Sequence, residues 1–308
     1  MRVLSLDGGG VFGFAQARIL SESGVVPKFD VFVGTSIGSA IAAMCAIGEE
    51  QRVGQAFFDE WMPQIFRYDF WRKINPLVTK YDDNGLNRAI TYLFHDRVMT
   101  DAGKPLFVTA ANIVEKRLKV FSSLDTDAST MYIKDVIRAA TAGETYFTPH
   151  NHYADGGVFA NNPSSVAVAA VCHELDIPLN QIELFSIGTG SSGDVWTYGD
   201  PGTSITWLWW LVEASLQGSS SVMPEYLTSC LPLRKNVRIQ FRRQPGWGLD
   251  NVQGMKIAER MWEDNIQLAI KAITSFCSDA PALLQDSRIA TRSKPSNCPS
   301  VVTSYRAS

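Results

Sequence analysis

The chain has 308 residues, of which 45% are hydrophobic and 19% charged, enough to bury a sizeable core in one large α/β domain or two smaller ones. Its 28 basic and 31 acidic side chains leave a formal charge of -3, so no basic field marks it as a binder of nucleic-acid polymers. Five scattered cysteines, Cys45, Cys172, Cys230, Cys277 and Cys298, form no C-x-x-C pair and no metal-ligand spacing; they read as reduced thiols of an intracellular protein, mostly core filler.

Residues 2–6 already read as a core strand, which leaves no room for a charged and apolar leader and makes a cytoplasmic location the expectation. No run of about 18 uninterrupted apolar residues is present, which argues against a spanning helix and leaves peripheral contact with the inner membrane surface open. Along the chain, short apolar runs alternate with segments of helical period, the pattern of parallel βαβ units. Helix is expected at 13–23, strand at 29–33, then helix at 36–47, 51–61 and 86–94. Strands follow at 105–111 and 118–122, and a helix at 133–141. A turn at 155–157 precedes a helix at 163–174 and a strand at 182–187. Helical segments then dominate, with a strand at 237–241 and one long helix at 252–273. Residues 1–278 read as one domain, and 279–308, rich in Ser, Thr, Pro and Arg without apolar period, as an irregular tail.

Three motifs carry chemistry. Gly34-Thr35-Ser36-Ile37-Gly38 fits G-x-S-x-G between an expected strand and an expected helix, the context of a nucleophile elbow, in which small neighbours let strand and helix pass closely while the serine hydroxyl projects outward. By itself the pattern is short enough to arise by chance. Asp7-Gly8-Gly9-Gly10 follows the first strand and opens the first helix. Consecutive glycines free backbone N–H groups to point at one anion, and a donor in such an oxyanion hole is worth about 2.7–4 kcal/mol in acyl transfer. Gly8, Gly10 and Gly13 also fit a dinucleotide-binding G-x-G-x-x-G, although the ribose-binding acid expected about 20 residues on falls near Asp30, before the second strand instead of at its end. Finally, Ala154-Asp155-Gly156-Gly157 places a carboxylate at a strand-to-turn junction, from which it can reach a serine on a neighbouring strand end and take its proton. Alone, it reads as an ordinary Asp-Gly turn.

Taken together and in this order, the glycine loop, the elbow and the D-G-G motif resemble the patatin-like phospholipase family. The segment 139–149 and Ser186-Ile187-Gly188-Thr189-Gly190 extend the likeness over about residues 1–190. The resemblance implies a three-layer α/β/α fold with a mostly parallel central sheet. It also implies a Ser36/Asp155 dyad without histidine, an oxyanion hole at Gly8, Gly9 and Gly10, and an elbow flanked by Gly34 and Gly38. The implied activity is that of a lipid acyl hydrolase of phospholipase A type, working on membrane phospholipids or other acyl lipids through an acyl-enzyme, with no metal or organic cofactor. Bacterial relatives include antiphage defence effectors that a cyclic nucleotide switches on through oligomerisation, so such an activator and a homo-oligomer are candidate partners. The alternative is a catalytically idle patatin fold serving as a binding or assembly module.

Two positions depart from the family's pattern. Phe12 stands where the family commonly has Arg or Lys, removing a cation that could hold a lipid phosphate and leaving the choice between phospholipid and neutral lipid open. Glu144 stands where proline is frequent and reads as a loop variation. His150 and His152, just upstream of Asp155, lie on one face by strand alternation and read as structural or solvent-facing; His95 and His173 lie in helical stretches with no nucleophile motif nearby. The stretch 205–212, with Trp207, Trp209 and Trp210, suits either a lipid interface or a buried helix.

Overall fold

The computed structural model describes residues 1–67, 69, 71–72, 75, 77–191, 202–278 and 303–305. The strands are β1 (Arg2–Leu6), β2 (Val31–Thr35), β3 (Leu106–Asn112), β4 (Arg117–Ser122), β5 (Tyr153–Asp155), β6 (Glu183–Ile187), β7 (Lys235–Ile239) and β8 (Thr303–Tyr305), of which the central β1, β2 and β3 are buried on both faces. They form one sheet in the order β4-β3-β2-β1-β6-β7-β8, with β5 attached to β3. Every pairing from β3 through to β8 is parallel, and β4 and β5 run antiparallel to β3. Such a sheet needs a helical layer on each face.

Alternation along the strands builds the two cores. Leu4, Leu6, Phe32 and Phe185 point to one side, where they meet α1 (Phe14–Ser23), α2 (Ile37–Ala46) and α3 (Gln55–Ile65). Val3, Val31, Val33 and Leu184 point to the other, against Ala167, Val168 and Val171 of the helix Ser164–Glu174. The expected α/β/α layering with a mostly parallel sheet is therefore the observed one.

Differences from the sequence reading are local. The helix Asp83–Phe94 starts earlier than its apolar stripe because Asp82 caps it, accepting from the Asn84 N–H at 2.8 Å. The expected long helix at 252–273 is two, Val252–Met261 and Glu263–Cys277, broken at Trp262. That indole turns into the core, stacks on Phe241 (4.8 Å) and Phe14 (5.6 Å), and donates from Nε1 to the Arg242 carbonyl. Most of the tail expected to be irregular lies outside the described residues; its described part, 303–305, is the edge strand β8. Among the described residues no helix is long and apolar enough to cross a membrane.

Candidate active site

β1, β2 and β5 end at the same edge of the sheet, and each delivers one of the three motifs. β3 is the common neighbour: β4 runs along one of its edges, and on the other edge Thr35 of β2 lies opposite Thr109 and Asp155 of β5 lies opposite Ala110, the next residue along. Ser36 is thereby brought to Asp155 although 119 residues separate them in sequence. A pair of buried hydroxyls fixes the junction, Thr35 Oγ1 lying 2.6 Å from Thr109 Oγ1 and 2.6 Å from the Ala160 carbonyl.

Ser36 itself has φ 52 and ψ -128, a strained conformation for a residue with a Cβ. It is half-buried. The strain is held by close packing of the glycines on either side. A Cβ on Gly34 would come within 2.4 Å of the Gly38 carbonyl oxygen, and one on Gly38 within 2.4 Å of the Leu6 carbonyl oxygen. Helix α2 can thus run directly off the end of β2 and under β1, with its N-terminus behind the serine.

Asp155 is 7% exposed. Burial is the dominant influence on its carboxyl and pushes its pKa up to about 6, against the nearby Ser36 hydroxyl and the Gly157 N–H, which pull it down. The Gly157 bond to Oδ1 is 2.8 Å long, and the Asp155 N–H is fixed by the Ala142 carbonyl at 3.0 Å. A carboxylate raised to about 6 is still ionised at neutral pH, and is a better proton acceptor there than a free aspartate.

The loop bearing Ala142 brings in Glu144, which as a residue is exposed while its carboxyl is desolvated beside the site. Desolvation first and repulsion from Asp155 second push Glu144 up to about 8. The two carboxyls titrate as a linked pair. Nothing in the local sequence of Glu144 signals this; only the fold of the loop onto β5 puts it there.

Gly8, Gly9 and Gly10 do not have the same standing. The Gly8 N–H donates to the Asn161 carbonyl at 2.9 Å, and its own carbonyl accepts from Thr189 Oγ1 at 2.6 Å. Gly8 thus anchors the loop, and the N–H groups of Gly9 and Gly10 have no bond of this kind among the described residues. Further back, Asp7 is clamped by Arg238 of β7 through two bonds, Nη1 to Oδ1 at 2.8 Å and Nη2 to Oδ2 at 2.5 Å, with both residues buried. Gln16 Nε2 donates to the Asp7 and Ile187 carbonyls. Asn161 and Arg238 are site-building residues that sequence reasoning missed, since neither belongs to the three motifs and Arg238 lies 231 positions from its partner.

Phe12 points into the protein. It is wholly buried, stacked on Trp247 at 5.8 Å and tilted against Trp262, with the Arg243 guanidinium 5.4 Å above its ring. The aromatic side chain serves packing beneath the glycine loop. His150 Nε2 faces Asp135 Oδ1 at 3.5 Å, and His152, His95 and His173 are exposed, so no imidazole among them is aimed at Ser36. Of the three tryptophans at 207–210, Trp207 and Trp210 are substantially exposed, while the side chain of Trp209 is outside what the structure describes. Among the described residues no group of three His, Cys, Asp or Glu side chains is arranged to hold a metal ion.

The chain is similar in sequence to several known proteins. The CotR protein of Bacillus subtilis is 26% identical over 205 residues, covering 62% of this chain and 63% of its own. A cGAMP-activated phospholipase of Escherichia coli is 26% identical over 220 residues, covering 61% of this chain and 62% of its own. Patatin-like protein 1 of Arabidopsis thaliana is 26% identical over 245 residues, with 62% and 59% covered. In each case the match spans less than two thirds of the relative's length. VipD of Legionella pneumophila superposes on 88% of this chain and 66% of its own at a TM-score of 0.49 and 14% identity, a likeness on which nothing further rests. The sequence model of the patatin-like phospholipases matches residues 4–168, more than half of the chain, and the chain belongs to that family.

Proposed function

We propose that this protein hydrolyses fatty-acyl esters of lipids in the manner of a phospholipase A, with Ser36 as nucleophile and Asp155 as its base. The observation that carries this reading is the half-buried serine held at positive φ, next to a buried carboxylate whose proton affinity its hydroxyl lowers. Ser36 Oγ attacks the ester carbonyl carbon while its proton passes to Asp155. The developing oxyanion accepts from the Gly9 and Gly10 N–H groups. Collapse breaks the bond to the alcohol oxygen, which leaves with the proton from Asp155, so that an acyl group remains on Ser36. Water then gives its proton to Asp155 and attacks the acyl carbon; the fatty acid departs and the proton returns to Ser36. The test is lipid hydrolysis by wild type and Ser36→Ala, with labelling by a fluorophosphonate probe; an idle binding module would leave Ser36 unlabelled under every condition.

The name of the Escherichia coli relative, a cGAMP-activated phospholipase, favours a second layer to this reading, in which a cyclic nucleotide switches the hydrolase on, through self-association, as part of antiviral defence. Hydrolysis and molecular mass measured with and without cyclic dinucleotides test it. Stimulation together with a rise in mass supports it, and full activity of the unliganded monomer contradicts it.

A further inference from the structure

Helical positions i, i+3 and i+4 share one face, and in a water-exposed protein the apolar members of such a set normally turn to the core. Two helices here do the reverse. In Ser204–Glu213 the set is Trp207, Trp210 and Leu211, and in Met223–Cys230 it is Met223, Tyr226 and Leu227. All six are between 37% and 64% exposed, and Trp207 and Trp210 meet edge-to-face at 5.5 Å. An outward stripe could be a local accident once; twice in successive helices it marks a surface made for an apolar partner.

The segment joining the two helices, Ala214–Val222, is a π-helical turn, and it is bonded to the loop that leaves the catalytic aspartate. Ser215 Oγ donates to the Val158 carbonyl (3.2 Å), Asn161 Nδ2 reaches Ser221 Oγ (3.1 Å), and the Asn162 N–H donates to the Ser220 carbonyl (2.8 Å). Asn161 is also the residue whose carbonyl anchors Gly8 of the glycine loop. The outward stripes are therefore mounted on the scaffold of the site itself, and Phe159, in the turn between Asp155 and Asn161, is exposed as well.

Composition selects the partner. Between 204 and 230 there is no Lys, Arg or His, and the only charged residues are Glu213 and Glu225, so attraction to an anionic surface is not what binds. Indole and phenol rings, apolar with one polar edge, are the side chains that settle at the boundary between lipid tails and head groups. We infer that these two helices dock the enzyme on an uncharged or zwitterionic lipid surface, through apolar burial, with the dyad held next to the contact. This rests on the lipid-hydrolase reading for the purpose of the docking, although not for its measurement.

Sedimentation with phosphatidylcholine vesicles tests it directly, using the full chain, Trp207→Ala/Trp210→Ala and Tyr226→Ser/Leu227→Ser. Each double variant is expected to partition about tenfold or more weakly, the scale for withdrawing two large apolar side chains from a lipid interface. Adding salt or replacing a third of the lipid with phosphatidylglycerol should not strengthen or weaken wild-type binding. A short-chain water-soluble ester, cleaved without docking, should be turned over equally by all three proteins. Failure of wild type to partition, partition that needs anionic lipid and vanishes in salt, or variants that bind vesicles as well as wild type would each overturn the inference. So would a wild-type dimer that the same substitutions convert to monomer, since the face would then be a contact between two copies. The soluble ester keeps the two readings apart: absence of its hydrolysis by a wild type that partitions counts against the hydrolase alone.

Discussion

Asp155→Asn is expected to make the protein inactive and, at alkaline pH, more stable. In the folded chain burial holds the Asp155 carboxyl at about 6, against an ordinary 3.8. At 1.36 kcal/mol per pH unit, keeping it ionised in the folded state costs about 3 kcal/mol. The folded pKa lies above the unfolded one, so the folded state holds the proton more tightly. The cost is fully present above about pH 6, shrinks as pH falls, and is gone well below 3.8. Asparagine abolishes it and still offers an oxygen to the Gly157 N–H, but buries an amide N–H2 with no assured acceptor, which offsets about 1 kcal/mol at every pH. The advantage of the variant over wild type should therefore be about 2 kcal/mol at pH 8 and should fall by about 2–3 kcal/mol on going to pH 4. Urea unfolding of both proteins at the two pH values measures this. A difference that does not change with pH would refute the claim that Asp155 is a desolvated, ionised base.

Activity itself should rise with pH through about 6, as Asp155 loses its proton, and fall again above about 8, where Glu144 ionises and sets a second negative charge beside the centre at which an oxyanion forms. Glu144→Gln should keep the acid limb and lose the alkaline one in a pH–rate profile. Arg238→Met strands the buried Asp7 carboxylate and should destabilise by about 3–5 kcal/mol in urea melts, with much of the loss recovered in the double variant Asp7→Leu/Arg238→Met. Gly10→Ala, at φ +56 and with its Cβ only 2.1 Å from the Leu249 carbonyl oxygen, should lower turnover about 100-fold or more on a soluble ester. Phe12→Arg would bury a second cation under Arg243 and among Trp247 and Trp262, so it should lower the melting temperature and bring no gain on phospholipid.

The central sheet and the three motifs were legible because each is a local event, an apolar run followed by glycines and then by helical period. What escaped is what depends on the third dimension. Tyr153–Asp155 is too short to show a strand period, so a turn was visible at Asp155 but not the antiparallel pairing to β3 that aims it at Ser36. Trp262 looked like one more apolar position in a continuous helix, and only its burial against Phe14 and Phe241 explains the break. A glycine run announces free N–H groups without saying which of them a distant carbonyl will occupy, and Asn161 takes that of Gly8. Phe12 could be compared with a family pattern but its direction could not be read, because a loop has no period to place a side chain inside or out. Glu144 changed from a loop variation to a member of a linked pair of carboxyls by proximity alone.

Whether Ser36 carries the acyl group separates a working hydrolase from an idle fold. Incubation with a fluorophosphonate or a slowly deacylating ester, followed by mass spectrometry of the intact chain and its peptides, measures this directly. One covalent adduct on the peptide containing Ser36, absent from Ser36→Ala and strongly slowed in Asp155→Asn while both variants melt cooperatively, is the predicted result. An adduct on another residue, or hydrolysis of lipid by a folded Ser36→Ala at more than a few per cent of the wild-type rate, would contradict it.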